Sequence, residues 1–163
     1  MRFWRIGSNE PGVYAADDLT GEGARRAGAR WNVKGTPAVY ASYHLATAVL
    51  ETLVHVGRRK QPANRYVVAL DVIDADDARL DDPGAGIVEL KLRDLPAGWD
   101  FNPPQPVSQL FGGERFKLGR IGFAVPSTIV HEELNLVLNP LHPAFKRAVK
   151  AKVTRTFAFD PRL

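Results

Sequence analysis

Between Tyr43 and Val56 the chain is apolar on almost every side, with Leu45, Ala46, Ala48, Val49, Leu50, Leu53, Val54 and Val56 crowded into one segment. A helix of that pattern belongs mostly inside a protein. Its polar residues fall on one line, His44–Thr47–Glu51–His55, with Glu51 near the middle. The single carboxylate therefore either meets solvent through a narrow strip or lines a pocket. In a pocket, a fixed anion can stabilise positive charge developing at a sugar carbon that is losing its leaving group. Glu51 and His55 also share a helix face at i,i+4 spacing, as metal ligands do, but the HExxH order is missing and no metal is expected.

The rest of the chain supplies strands for such a helix to cover. Phe3–Ile6, Ala38–Ala41, Asn64–Ile73, Gly86–Leu90, Gly122–Pro126, Leu134–Leu138 and Val153–Phe159 read as strands from their β-branched and aromatic content. The apolar helix is expected from Tyr43 to Val56, with Ser42 as its N-cap and Gly57 as its stop. Further helices are expected over Val107–Leu118 and over Pro143–Lys150, where proline suits the first turn. Asp18–Asn32 reads as a glycine-bearing loop with a short helix, and Pro83-Gly84 marks a turn in an acidic stretch. Helices and strands alternate without a βαβ rhythm. The expected fold is α+β, a single compact domain over residues 1–163 with a mixed or antiparallel sheet and flanking helices.

Composition narrows the chemistry. With no cysteine, thiol nucleophiles, cysteine zinc sites and redox switches are excluded. The first residues lack the long apolar run of a secretory signal, and the apolar helix falls short of the ~20 residues a membrane span needs, so a cytoplasmic protein without membrane contact is expected. The net charge is +4 and uneven: Asp71–Asp82 is acidic, whereas Lys146, Arg147, Lys150, Lys152, Arg155 and Arg162 make the C-terminal segment basic. A basic nucleic-acid-binding module is the rival reading of that segment. An ordinary solvated surface explains so modest an excess equally well, and a phosphorylated small molecule would be drawn to it too.

Three further segments carry chemistry. Gly21 to Asn32 sets Arg25, Arg26 and Arg30 among glycines, where planar guanidinium forks can meet phosphate while a ligand approaches the backbone. It is neither a Walker loop nor a Rossmann fingerprint, so a nucleotide bound here is not bound as in a dehydrogenase. A basic surface loop anchored by a buried Trp31 is the plainer alternative. Tyr40 lies on the strand leading into the Glu51 helix, where it either packs in the sheet or stacks on a flat ring. Ser127 follows Pro126, and Asn135 and Asn139 alternate with apolar residues as a strand with one polar edge does. A Ser–His–acid hydrolase using Ser127 with His131 or His142 lacks the G-x-S-x-G elbow.

Taken in order, Phe3-Trp-Arg-Ile6, Gly-Ala-Arg-Arg-Ala-Gly-Ala-Arg-Trp-Asn32, Gly35-Thr-Pro-Ala-Val-Tyr-Ala-Ser42, Ala48-Val-Leu-Glu-Thr-Leu-Val-His55, Val125-Pro-Ser127 and Asn135-Leu-Val-Leu-Asn139-Pro-Leu-His-Pro143 resemble the RES-domain family over nearly the whole chain. The family is the toxin half of bacterial toxin–antitoxin pairs. The resemblance implies a fold similar to ADP-ribosyltransferase toxins and NAD as substrate, with the nicotinamide–ribose bond broken by hydrolysis or phosphorolysis, or with ADP-ribose passed to a host protein acceptor. It implies that Arg30 holds the phosphates or ribose, Tyr40 stacks on the nicotinamide, Glu51 supports the cationic transition state and Ser127 completes the pocket. Arg25 and Asn135 fall within the matched segments and are expected to contact NAD. Ala29 stands where a second glycine would be expected before the arginine. The implied partner is a cognate antitoxin with a helix-turn-helix domain, and no direct nucleic-acid contact by this chain is expected.

Overall fold

The computed structural model describes residues 1–56, 64–73 and 86–162. Gly57 and the Pro83-Gly84 turn lie outside the described residues, as does most of the acidic stretch.

Among the described residues seven strands make one sheet: β1 (Arg2–Ser8), β2 (Val39–Ser42), β3 (Arg65–Val72), β4 (Ile87–Glu89), β5 (Gly122–Pro126), β6 (Leu134–Leu138) and β7 (Val149–Phe157). Their order is β4-β5-β6-β2-β1-β3-β7. Only β4 and β5 run parallel; every other pair is antiparallel. Among the described residues four α-helices flank the sheet: α1 (Glu22–Ala27), α2 (Leu45–Val56), α3 (Pro106–Lys117) and α4 (Phe145–Ala148). The architecture is the α+β mixed sheet expected. The chief shift is at the C-terminal end, where the last helix is one turn long and β7 starts four residues before Val153.

Side-chain alternation along the strands gives two cores, one on each face. Leu136 and Leu138 of β6 join Phe3, Val39, Leu70 and Phe145 on one side. Val137 points the other way, into Trp31, Trp99, Phe123 and Val125, with Tyr40 packed against them. On that second face the chain places the arginine-bearing loop and α3 in intimate contact. A Cβ on Gly112 of α3 would stand 2.0 Å from the carbonyl oxygen of Trp31, so only glycine lets helix and loop meet at that distance.

Helix α2 packs on β1 and β2. The expectation that it is mostly buried is not met: only Thr47 and Ala48 are buried, while Val54 is 55% exposed. The physical reason is that one face alone meets the strands, and the small side chains on it let the helix sit close without being enclosed. Ser42 is not its N-cap either. It is the last residue of β2, and its hydroxyl is used elsewhere.

The Gly112 contact predicts a sharp contrast between neighbours. Gly112→Ala should lower stability by about 1–3 kcal/mol through overpacking. A methyl on Gly113 would meet nothing within 4 Å, so Gly113→Ala should be neutral or stabilising by up to about 1 kcal/mol from helix propensity. Urea unfolding midpoints of the two variants check this.

Candidate active site

The register of three strands builds the site. Ser42 of β2 pairs with Asn135 of β6, which pairs in turn with Val125 of β5, so Ser127 emerges just past the end of β5 on the same edge. Glu51 of α2 reaches down to this edge. Its Oε1 accepts from the Ser127 hydroxyl at 2.7 Å and from the Asn135 amide nitrogen at 2.5 Å. Ser42 donates to Asn135 Oδ1 at 2.7 Å, which fixes the amide so that its nitrogen faces the carboxylate. Ser127 Oγ is itself held by the backbone N–H groups of Ile129 and Val130, at 3.0 and 3.3 Å. Glu51 Oε2 has no partner among the described residues.

A second tie joins α2 to the approach of β6. Glu133 Oε2 lies 2.6 Å from His44 Nδ1 and accepts from Thr47 Oγ1 at 2.7 Å. Hydrogen bonds from His44 and then Thr47 hold the Glu133 carboxyl below its ordinary value of 4.5. The polar line along α2 is thus real, and each of its first members has a partner on the sheet side. His55 is exposed, and its Nδ1 lies 3.1 Å from the Glu51 carbonyl of its own helix.

Arg30 lies near enough to Glu51 to feel its charge. Its Nη1 donates to the carbonyls of Trp99 and Phe101, at 2.7 and 2.9 Å. Partial burial pulls its pKa down, and the negative charges of Glu51 and Asp100 push it back up. The backbone on either side of Arg30 is clamped. Gln109 of α3 donates to the Ala29 carbonyl at 3.1 Å, and the Trp31 N–H donates to the Tyr40 hydroxyl at 3.1 Å.

Tyr40 passes this clamp on to Asn32. The hydroxyl donates to Asn32 Oδ1 at 2.7 Å, and Asn32 Nδ2 donates to the carbonyls of Ala24, Val33 and Thr36. Asn32 is fully buried, and its whole hydrogen-bonding capacity goes into holding the arginine loop. Burial pushes the Tyr40 hydroxyl far above its ordinary 10.0, so it stays a neutral donor.

Of the residues singled out from sequence, Ser127 and Asn135 both bind Glu51, Arg30 lies near enough to feel its charge, and Tyr40 holds the loop that carries Arg30. Arg25 does not join them: one edge of its guanidinium, Nε with Nη2, pairs with Glu22 on α1, at 2.7 and 2.9 Å. The hydrolase alternative loses its histidine. His142 is buried with Nε2 on the Gly119 carbonyl and Nδ1 accepting from Ala144 N–H, and His131 lies against the Trp99 ring. Sequence reasoning misses Asn32, Ser42, Trp99 and Glu133 as parts of the site. Asn32 and Ser42 end two of the family-like segments, a signal that could have found them, and nothing in the sequence around Trp99 or Glu133 marks them.

A mixed sheet thus brings a hydrogen-bonded carboxylate and a part-buried arginine close enough for their charges to interact. A family model for the RES domain matches residues 2–160. A relative from Sphingobium sp., named Prs ADP-ribosylating toxin, is 42% identical over 99% of this chain and 95% of its own length. Toxin Res of Yersinia enterocolitica is 34% identical over 92% of this chain and 93% of its own. In fold the chain is similar to the crystal structure of the M. tuberculosis MbcT–MbcA toxin–antitoxin complex, with a TM-score of 0.69 over 99% of this chain and 85% of that one, at 18% identity. The chain belongs to the RES-domain family of toxins.

The Tyr40–Asn32 pair predicts coupled losses. Asn32→Ala strands buried carbonyls and Tyr40→Phe strands the Trp31 N–H, so each should cost about 1–3 kcal/mol. The double variant should cost less than the sum, because both act on one network. Because the folded Tyr40 pKa is raised, its contribution is complete below pH 10.0 and declines as pH rises above that. Chemical denaturation of the four proteins between pH 8 and pH 11 measures both effects, and Tyr40→Phe should flatten the alkaline decline.

Proposed function

We propose that this toxin breaks the bond between nicotinamide and ribose in NAD. The observation that carries the reading is the Glu51 carboxylate: Oε1 is held by Ser127 and Asn135, Oε2 has no partner among the described residues, and Arg30 is near enough to feel its charge. As the C1′–N bond breaks, its electron pair goes to the nicotinamide ring nitrogen and the group leaves neutral. It needs no acid. The positive charge left on the ribose is what has to be stabilised, and a carboxylate aimed in advance does so without reorganising at the moment of reaction. The acceptor then attacks C1′ and releases its proton.

The other residues take roles that follow from their places. Arg30 meets the diphosphate with the donors that its carbonyl partners leave over. Tyr40, half-buried on the cleft face, supports the nicotinamide with its ring while its hydroxyl keeps the arginine loop in place. Ser127 and Asn135 orient the carboxylate.

Water, phosphate or a protein group can each complete the reaction in such a pocket. The Sphingobium relative is named as an ADP-ribosylating toxin acting on Prs, which favours a protein acceptor here too. The MbcT–MbcA structure is a toxin bound to its antitoxin, and a cognate antitoxin with a helix-turn-helix domain is the corresponding partner for this chain. A cytoplasmic setting, where NAD is at hand, accords with this reading. Among the described residues no helix is long and apolar enough to cross a membrane. The relatives lend nothing to a nucleic-acid-binding module.

Glu51→Gln keeps an oxygen for Ser127 and Asn135 while removing the charge, so it should fold as the wild type does. Nicotinamide release from NAD should fall about 100- to 1,000-fold. Release that rises with added phosphate identifies phosphorolysis, and label from NAD appearing on one protein in cell extract identifies transfer. Undiminished release by Glu51→Gln would remove the carboxylate from the mechanism.

A further inference from the structure

Arg30 is met from outside the Glu51 network by a tight turn over residues 98–101, closed by the Phe101 N–H on the Gly98 carbonyl at 3.3 Å. The two aromatic residues of this turn meet different fates. Trp99 is 7% exposed, with its ring stacked 5.9 Å from Trp31. Phe101 is 61% exposed, although the carbonyls of both residues hold the same Arg30 nitrogen. Its ring lies back over Gly98, where an added Cβ would stand 3.5 Å from the ring edge, and Gly98 has φ +78°, a conformation that disfavours any side chain there. One side of the phenyl ring is thus backed by bare backbone and the rest is open.

Scattered exposed apolar residues are common and need no reason. This one is different because it is tethered through its own carbonyl to the guanidinium that feels the charge of Glu51. Nη1 of that guanidinium is spent on the turn, and among the described residues Nε and Nη2 have no partner. A flat apolar surface beside a free cationic edge is the chemistry that recognises a nucleotide, the base stacking on the ring while the fork takes a phosphate. Arg30 is bonded to the 98–101 turn and lies within reach of the Glu51 charge, so a dinucleotide with its diphosphate on Arg30 can send one base toward each.

We propose that Phe101 is the platform on which the adenine ring of NAD stacks, with Arg30 on the adjoining diphosphate. The proposal rests on the reading of NAD as substrate. Asp100, between the two aromatics, adds an acceptor for the hydroxyls of the adenosine ribose. Stacking is tolerant of which base it receives, so Phe101 contributes affinity for the nucleotide half and leaves the bond-breaking step to Glu51.

The test compares NAD with nicotinamide mononucleotide, which has the same scissile bond but no adenylate. For Phe101→Ala, KM for NAD should rise about tenfold with kcat little changed, and the loss on NAD should exceed any loss on the mononucleotide by the same factor. Phe101→Trp should restore NAD binding. Equal losses on both substrates would mean that Phe101 acts only through the placing of Arg30, and an unchanged KM would mean that nothing stacks there; either overturns the proposal. If the wild type cleaves neither compound, the NAD reading fails separately. Calorimetric titration of adenosine diphosphate then still decides Phe101: about tenfold weaker binding to Phe101→Ala supports a nucleotide platform, and equal binding removes it.

Discussion

The pairing of Ser42 with Asn135 across β2 and β6 governs the cleft. A slip of one residue would turn every side chain on β6 to the opposite face. Asn135 would then enter the core that holds Leu136 and Leu138, and the hydrogen bond to Glu51 would vanish. The register is secured well away from the chemistry, by the apolar alternation of Leu136, Val137 and Leu138 between two cores. The position of a polar site is therefore set by hydrophobic burial on strands that mostly serve packing.

The arginine side of the cleft is organised differently. The segment around Arg30 has little regular structure, and its backbone groups are satisfied by side chains: Asn32 on three carbonyls, Tyr40 on the Trp31 N–H, Gln109 on Ala29. Gly112 lets α3 close over it. A loop held at so many points can keep a long side chain such as arginine in one place, which lowers the entropy lost when a ligand is bound.

Much of this is legible in the chain itself. Strand periodicity locates every strand to within a few residues, because β-branched runs such as Tyr66–Val72 have few other uses. The order of Arg30, Tyr40, Glu51 and Ser127 points to one site; Glu51 and Ser127 meet in a hydrogen bond, and Arg30 lies within reach of the Glu51 charge. Two things are illegible. The burial of α2 depends on how many faces its neighbours cover, which no pattern within the helix encodes. The partners of Arg25 and Arg26 depend on Glu22, one helical turn away, whose carboxyl the two arginines draw down to about 2. Sequence shows guanidinium groups; it does not show which of them are already engaged.

The small residues that seat α2 have a mechanical meaning. Thr47 and Ala48, the buried residues of the helix, precede Glu51 by four and three positions, about one turn of the same face. The gap between helix axis and sheet is therefore the thickness of two short side chains, and the carboxylate inherits it. Any added bulk at Ala48 would act as a shim, lifting the helix and withdrawing Glu51 from the cleft by a comparable distance. The depth of the Glu51 carboxylate is set by side chains that lie beneath the helix.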